Sequence, residues 1–238
     1  MTTLLAARRT TDELEALARR GADELGEADA LTVVEWVAAH FDLPRVAVAS
    51  SMANAVLPHL VSTRIPGVAV LFLDTGYHFA ETLETRDEVR RWLDVRVVNV
   101  EPERTVNLQD QHFGPDLNRR DPEACCRMRK VYPLTRALEE YEVWFSGMRR
   151  EEAPTRANTP LVTFDARHGL VKVNPLAAWT TDEMLDYAER HAVPVNPLLA
   201  DGYPSIGCAP CTQRVAPGAD PRSGRWAGLA KTECGIHL

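Results

Sequence analysis

Leu14, Leu17 and Ala18 fall on one face of TTDELEALARRGADELG at helical spacing, and Thr10 stands three residues before Glu13 as a capping box requires. An amphipathic helix is predicted there, and LTVVEWVAAHF (31–41) predicts a second one, closed by Pro44. The pattern then changes. RVAVAS (45–50), GVAVLFLDTG (67–76) and VRVVNV (95–100) are short apolar runs that suit strands buried on both faces. SSMANAVLPHLVS predicts a turn and a helix between the first two strands, and HFAETLETRDEVRRWL a helix between the second and third. YEVWFSGMRR supplies a fourth strand, after a helix that begins at a pair of adjacent cysteines.

This strand–helix rhythm predicts an α/β fold, a doubly wound and mostly parallel sheet. Ligands of such sheets lie beyond the carboxyl ends of the strands, so SSMAN, DTG and SGMRR should share one rim. LVTFDARHGLVKVNPL reads as a hairpin turning near Arg167, His168 and Gly169, and Thr180 with Glu183 starts another helix. From Val193 onward the periodicity fades into Pro, Gly and polar turns. The chain is therefore read as a single domain, 1–238, with a helical N-terminal region over 1–44 and an irregular segment over 193–238.

Composition narrows the function. The 238 residues are 45% apolar and 26% charged, enough for a sizeable core. A net charge of −7 argues against nucleic acid, so any anionic ligand must be met by a local basic cluster. No apolar run is long enough for a bilayer and MTTLLAARRTTDELEAL has no signal-peptide core, so no membrane partner and a cytosolic location are expected. Whether the chain forms a homo-oligomer stays open.

Five cysteines in such a chain point to metal binding or catalysis rather than disulfides. Cys125 and Cys126 are adjacent, Cys208 and Cys211 form CAPC, and Cys234 stands near the end of the chain. The first four make a thiolate set for either structural zinc or an iron–sulfur cluster. Adjacent side chains diverge, which favours a cluster with separate irons, although zinc remains the alternative. Arg127, Arg129 and Lys130 come after the pair at the expected helix start, where a helix N-terminus would itself favour anions.

CCRMRKVYPL, SIGCAPCT, DPRSGRW and KTECGIHL, with LDTGYHF, SGMRREEAPTRA and VKVNPLAAW, resemble the thioredoxin-dependent assimilatory adenylyl-sulfate reductases of the phosphoadenylyl-sulfate reductase family, most closely the actinobacterial type. The likeness runs from about residue 45 to the last residue. It implies an adenine nucleotide alpha hydrolase-like sheet and one 4Fe-4S cluster on Cys125, Cys126, Cys208 and Cys211. It also implies reduction of adenosine 5′-phosphosulfate (APS) to sulfite and AMP, with Cys234 as nucleophile and thioredoxin releasing the product. A short, loose tail would then swing between nucleotide and thioredoxin, and Lys231 or His237 would favour the Cys234 thiolate.

By the same resemblance, Lys130, Arg156, Arg222 and Arg225 meet the phosphosulfate, with Arg149 and Arg150 behind the SG turn and His237 in the tail. Ser50 and Ser51 donate to phosphate, and Leu73, Asp74, Thr75 and Gly76 hold the adenine or ribose. Trp179 and Trp226 are read as packing residues. One loop departs from the family: ASSMANA has Met52, Asn54 and Ala55 where Gly, Glu and Asp are common, and methionine lacks glycine's backbone freedom. The rival readings are reduction of the 3′-phosphorylated nucleotide, PAPS, by the same chemistry, and a zinc-stapled nucleotide-binding module without redox activity.

Overall fold

The computed structural model describes residues 7–237. Helices α1 (Thr11–Leu25) and α2 (Ala30–His40) begin as predicted. Thr10 and Glu13 form the reciprocal capping box, and Asp29 caps α2 by accepting from the Leu31 and Thr32 amides. Each cap satisfies donors that a helix start leaves without partners.

Strands β1 (Val46–Ala49), β2 (Val68–Leu73), β3 (Val95–Val100), β4 (Val143–Phe145), β5 (Val162–Asp165) and β6 (Leu170–Val173) form one sheet in the order β3-β2-β1-β4-β6-β5. Every pairing is parallel except β5 with β6, the predicted hairpin at the edge. The expected doubly wound sheet is present. Helices α3 (Val56–Ser62) and α4 (Ala80–Trp92) make its first two crossovers. The longer connection from β3 to β4 carries α5 (Val106–Phe113), α6 (Leu117–Arg120), α7 (Pro122–Cys126), a π-helical turn (Arg127–Val131) and α8 (Tyr132–Leu138). Helix α9 (Thr181–Arg190) starts at the Thr180–Glu183 capping box.

The strand order reverses beside β1, which has β2 on one side and β4 on the other. Their carboxyl ends bring the 50–54, 74–76 and 146–150 loops to one rim, the crevice where doubly wound sheets take ligands. Beneath it Val48, Val70, Phe72, Trp144 and Phe145 are fully buried. Among the described residues no helix is long and apolar enough to cross a membrane.

Met52 takes a glycine-like backbone in its loop despite lacking glycine's freedom. It adopts the left-handed conformation, φ +58°, that glycine favours, with its side chain wholly buried. The Asn196 amide donates to Met52 O (3.2 Å), and Ala55 N donates to Pro194 O (2.9 Å), so the 194–196 segment holds the loop. Packing here outweighs backbone preference. Relief of a left-handed residue is worth about 1–2 kcal/mol, whereas emptying a buried methionine site costs about 2–5 kcal/mol. Met52→Gly is therefore expected to destabilise the protein by about 1–3 kcal/mol, read from the midpoint of urea unfolding. A more stable variant would show that strain dominates.

Candidate active site

Four thiols come together beyond the sheet. Cys125 and Cys126 are both buried at the end of α7, which starts at Pro122 with the Asp121 carboxylate accepting from Ala124 N (2.8 Å). The expectation that the pair opens a helix is thus corrected: the N-terminus and its dipole lie ahead of the pair, at Pro122. Directly after the pair comes the π-helical turn, whose wider winding is common at functional sites.

Cys208 and Cys211 bracket a 3₁₀ turn, Ala209–Cys211, whose Ala209 N donates to Tyr77 O (2.7 Å). The four cysteines line one pocket with Tyr77, Asn118, Pro122, Arg129, Lys130 and Trp226. Thr75 Oγ1 lies 3.3 Å from Cys208 Sγ, which makes the strand-end DTG part of the pocket wall.

Burial, reinforced by the neighbouring thiols, pushes Cys125 up to about 12. Burial pushes Cys126 up to about 11, although Lys130 and Lys231 work against it. Cys211 is raised by burial and then by Cys208. Thiols so disfavoured as anions become thiolates when a metal centre supplies the positive charge. Among the described residues no three His, Cys, Asp or Glu side chains are placed to hold a metal ion. All five cysteines are free of disulfides.

Lys130 connects this pocket to the chain's end. Burial opposes its charge, but Cys208 and Cys234 raise it above the usual lysine range, so both sulfurs lie within electrostatic reach. Among the described residues Lys130 has no hydrogen-bond or ion-pair partner. Arg225 lies over Trp226 (4.6 Å to the ring centroid) and donates to Ser205 Oγ (3.2 Å), while its buried Nε has no partner among the described residues. Gly207 makes room for it: a Cβ there would collide with the Arg225 guanidinium.

The tail is docked rather than loose. Lys231 pairs with Glu123 of α7 (2.5 Å), so the expectation that it serves Cys234 is not met. Glu233 accepts from Arg156 Nε (2.9 Å) and Nη2 (2.8 Å) and from Arg222 Nη2 (3.1 Å). Arg222 also donates to Thr232 O (2.7 Å), and Arg167 to Gly235 O (2.7 Å). Gly235 turns the chain at φ +87° behind Cys234. His237 stacks on Trp144, with centroids 5.8 Å apart and planes at 11°. Burial, then the charges of Lys172, Arg156, Arg222 and His168, hold His237 well below its usual range, so it is neutral at neutral pH.

Lys130, Arg156, Arg222, Arg225, Cys234 and His237 are thus brought together. Arg149 is not: it is bound to Glu151 (2.8 Å) and Thr181, and Arg150 to Glu27 (2.8 Å) and Thr159 O, which removes both from the anion site. Arg129 is likewise structural, donating to Arg104 O and Gln109. Ser50 Oγ accepts from Met52 N (3.3 Å), and Ser51 is exposed at the rim. Asp74 accepts from Gly76 N (3.1 Å) and faces Arg86, and Leu73 O meets His78, at the end of β2. Glu152, Glu233, Trp144 and Lys172 carried no expectation. Only tertiary packing places them here, apart from Glu233, whose position next to Cys234 was the available signal.

The phosphoadenosine phosphosulfate reductase domain profile matches residues 44–214. The chain belongs to the phosphoadenosine phosphosulfate reductase family. Within that family it is 58% identical over 229 residues to a Mycolicibacterium smegmatis protein named adenosine 5′-phosphosulfate reductase, covering 96% of this chain and 97% of that one. A Streptomyces coelicolor protein of the same name is 52% identical over 235 residues, 99% of each chain, and so is matched beyond residue 214. Among solved structures, a Candida auris phosphoadenylyl-sulfate reductase in complex with phosphate superposes with TM-score 0.68 at 23% identity, covering 90% of this chain and all of that one. That likeness shows the fold.

The Glu233 contact carries a pH dependence. Burial opposes the Glu233 charge, but Arg156 and Arg222 outweigh it and hold the carboxyl below its usual range. A carboxyl lowered on docking stabilises the docked tail above its ordinary pKa and loses that contribution as pH falls through the lowered value. Tail amides are expected to keep their protection through the ordinary carboxylate range and lose it only in stronger acid. Hydrogen exchange corrected for intrinsic rates checks this, and Glu233→Gln should remove the transition.

Proposed function

We propose that the chain reduces APS to sulfite and AMP, with Cys234 as nucleophile and thioredoxin as reductant, in the cytoplasm. One observation carries the reading: a fifth thiol, outside the four-thiol pocket, lies within electrostatic reach of Lys130, a half-buried lysine that lines that pocket and has no hydrogen-bond or ion-pair partner among the described residues. The relatives' names supply the substrate.

The Cys234 thiolate attacks the sulfur of the mixed anhydride, the S–O bond to phosphate breaks, and its electron pair leaves with AMP. Lys130 and Arg225 meet the phosphosulfate oxygens and stabilise charge as it gathers on AMP. Cys234 now carries the sulfo group. One thiolate of thioredoxin attacks Cys234 Sγ and expels sulfite, and its second thiol resolves the mixed disulfide and returns the Cys234 thiol. The two electrons come from the dithiol, so the chain's other sulfurs need not change oxidation state.

Cys125, Cys126, Cys208 and Cys211 would hold one 4Fe-4S cluster. The donor set fits it: four thiols, three of them buried, line one pocket. When bound, the group supplies an anionic sulfur centre beside Lys130 and ties the CAPC loop to α7.

Two outcomes test this reading. Mixing the protein with APS and no reductant is expected to add one sulfo group to the tail peptide by intact mass, absent in Cys234→Ser; a wild-type chain that stays unmodified rejects the mechanism. PAPS in parallel tests the rival substrate. Gly207→Ala, which displaces Arg225, should weaken AMP affinity about tenfold while leaving iron and acid-labile sulfide present in equal amounts. Zinc in place of iron would overturn the cluster assignment.

A further inference from the structure

Every nitrogen of the Arg156 guanidinium is engaged. Its Nε and Nη2 go to Glu233, and its Nη1 goes to Glu152. Its side chain is 10% exposed, as is that of Glu233, so this pair is not a screened surface contact. Arg222 adds a third donor to the same carboxylate and a bond to the preceding carbonyl, Thr232 O. A buried guanidinium and a half-buried one therefore converge on the residue next to the nucleophile. Lys130 and Arg225 Nε, by contrast, have no partners among the described residues and stay available to an anion. The basic cluster divides into a part that holds the chain and a part that holds the ligand.

We propose that Glu233 is a positioning residue: by bridging Arg156 and Arg222 it clamps the tail so that Cys234 is presented to the electrophile, and its release exposes the sulfonated Cys234 to the second thiol protein. This rests on the reading of Cys234 as nucleophile. Arg156 thus acts on the tail. The clamp acts in opposite senses on the two half-reactions. It favours sulfonation, which needs the closed tail, and it opposes reduction of the adduct, which needs the open one. A residue that only stabilised the fold would slow both.

Full-length protein, purified anaerobically, carries the test. Cys234 alkylation by iodoacetamide is followed without nucleotide across pH, so that the limiting thiolate rate is separated from any change in thiol ionisation. Glu233→Gln should raise that limiting rate about tenfold, as a shifted open–closed equilibrium requires. Glu233→Asp, which keeps the charge at shorter reach, should fall between. Glu233→Gln combined with Arg222→Gln should add little to either alone, because both break one contact.

With APS at saturation, Glu233→Gln should lower the single-turnover sulfonation rate about tenfold, while thioredoxin discharges its preformed adduct at least as fast as wild type. An unchanged alkylation rate overturns the clamp. So does tighter APS binding with undiminished sulfonation, which would make Glu233 a competitor of the substrate anion. If wild type forms no adduct, the reductase reading fails, and the alkylation series still judges the clamp.

Discussion

A lysine without a carboxylate, held among sulfur atoms, is the constraint on which this site depends. Lys130 lines the pocket that holds Cys208 and lies within electrostatic reach of both Cys208 and Cys234. A buried ammonium is costly unless opposite charge lies near it. Among the described residues the anions on offer to it are thiolates, and beyond them a bound ligand, so the same charge that needs compensation favours ionised sulfur and recruits an anion. The π-helical turn that carries Lys130 comes directly after Cys125 and Cys126, tying the lysine's place to that of the thiol pocket. A regular helix through these residues would wind more tightly and aim each side chain differently.

An acidic chain that takes an anionic ligand must keep its cations from being neutralised in the wrong place. Arg149 and Arg150 are committed to Glu151 and Glu27. Arg156 and Arg222 are committed to the tail. Lys172 is buried on β6, where burial lowers its pKa despite Asp165. Among the described residues, positive charge with no carboxylate partner beside the thiol pocket belongs to Lys130, Arg129 and Arg225. This economy explains how a net charge of −7 coexists with a local anion site.

The fold was legible because periodicity reports burial, and burial is what strands and helices here are for. Both capping boxes, the succession of the first four strands along the chain and the Arg167–Gly169 turn come from local pattern. The cysteines were legible by residue type alone. Two things were not. The π-helical turn has no composition of its own, since RMRKV would serve equally in an α-helix, and the pair was accordingly placed at a helix start. The pairing of arginines was also hidden, because a sequence shows that a guanidinium exists but not which carboxylate reaches it. Met52 belongs to the same class: its left-handed backbone is imposed by Asn196 and the surrounding core, from far along the chain.

The docked tail gives Glu233 and His237 complementary parts. His237 lies flat on Trp144, its charge suppressed by burial and by the cations around it. A neutral ring can leave or re-enter that apolar seat without carrying charge through it. The Glu233 carboxylate must break strong bonds to two arginines when the tail lifts, and those arginines then need water or another anion. Closure is therefore governed by the carboxylate, with the imidazole and Ile236 supplying contact area on the core. Because Cys234 lies between the two anchors and next to the flexible Gly235, it goes wherever the Glu233 carboxylate takes it.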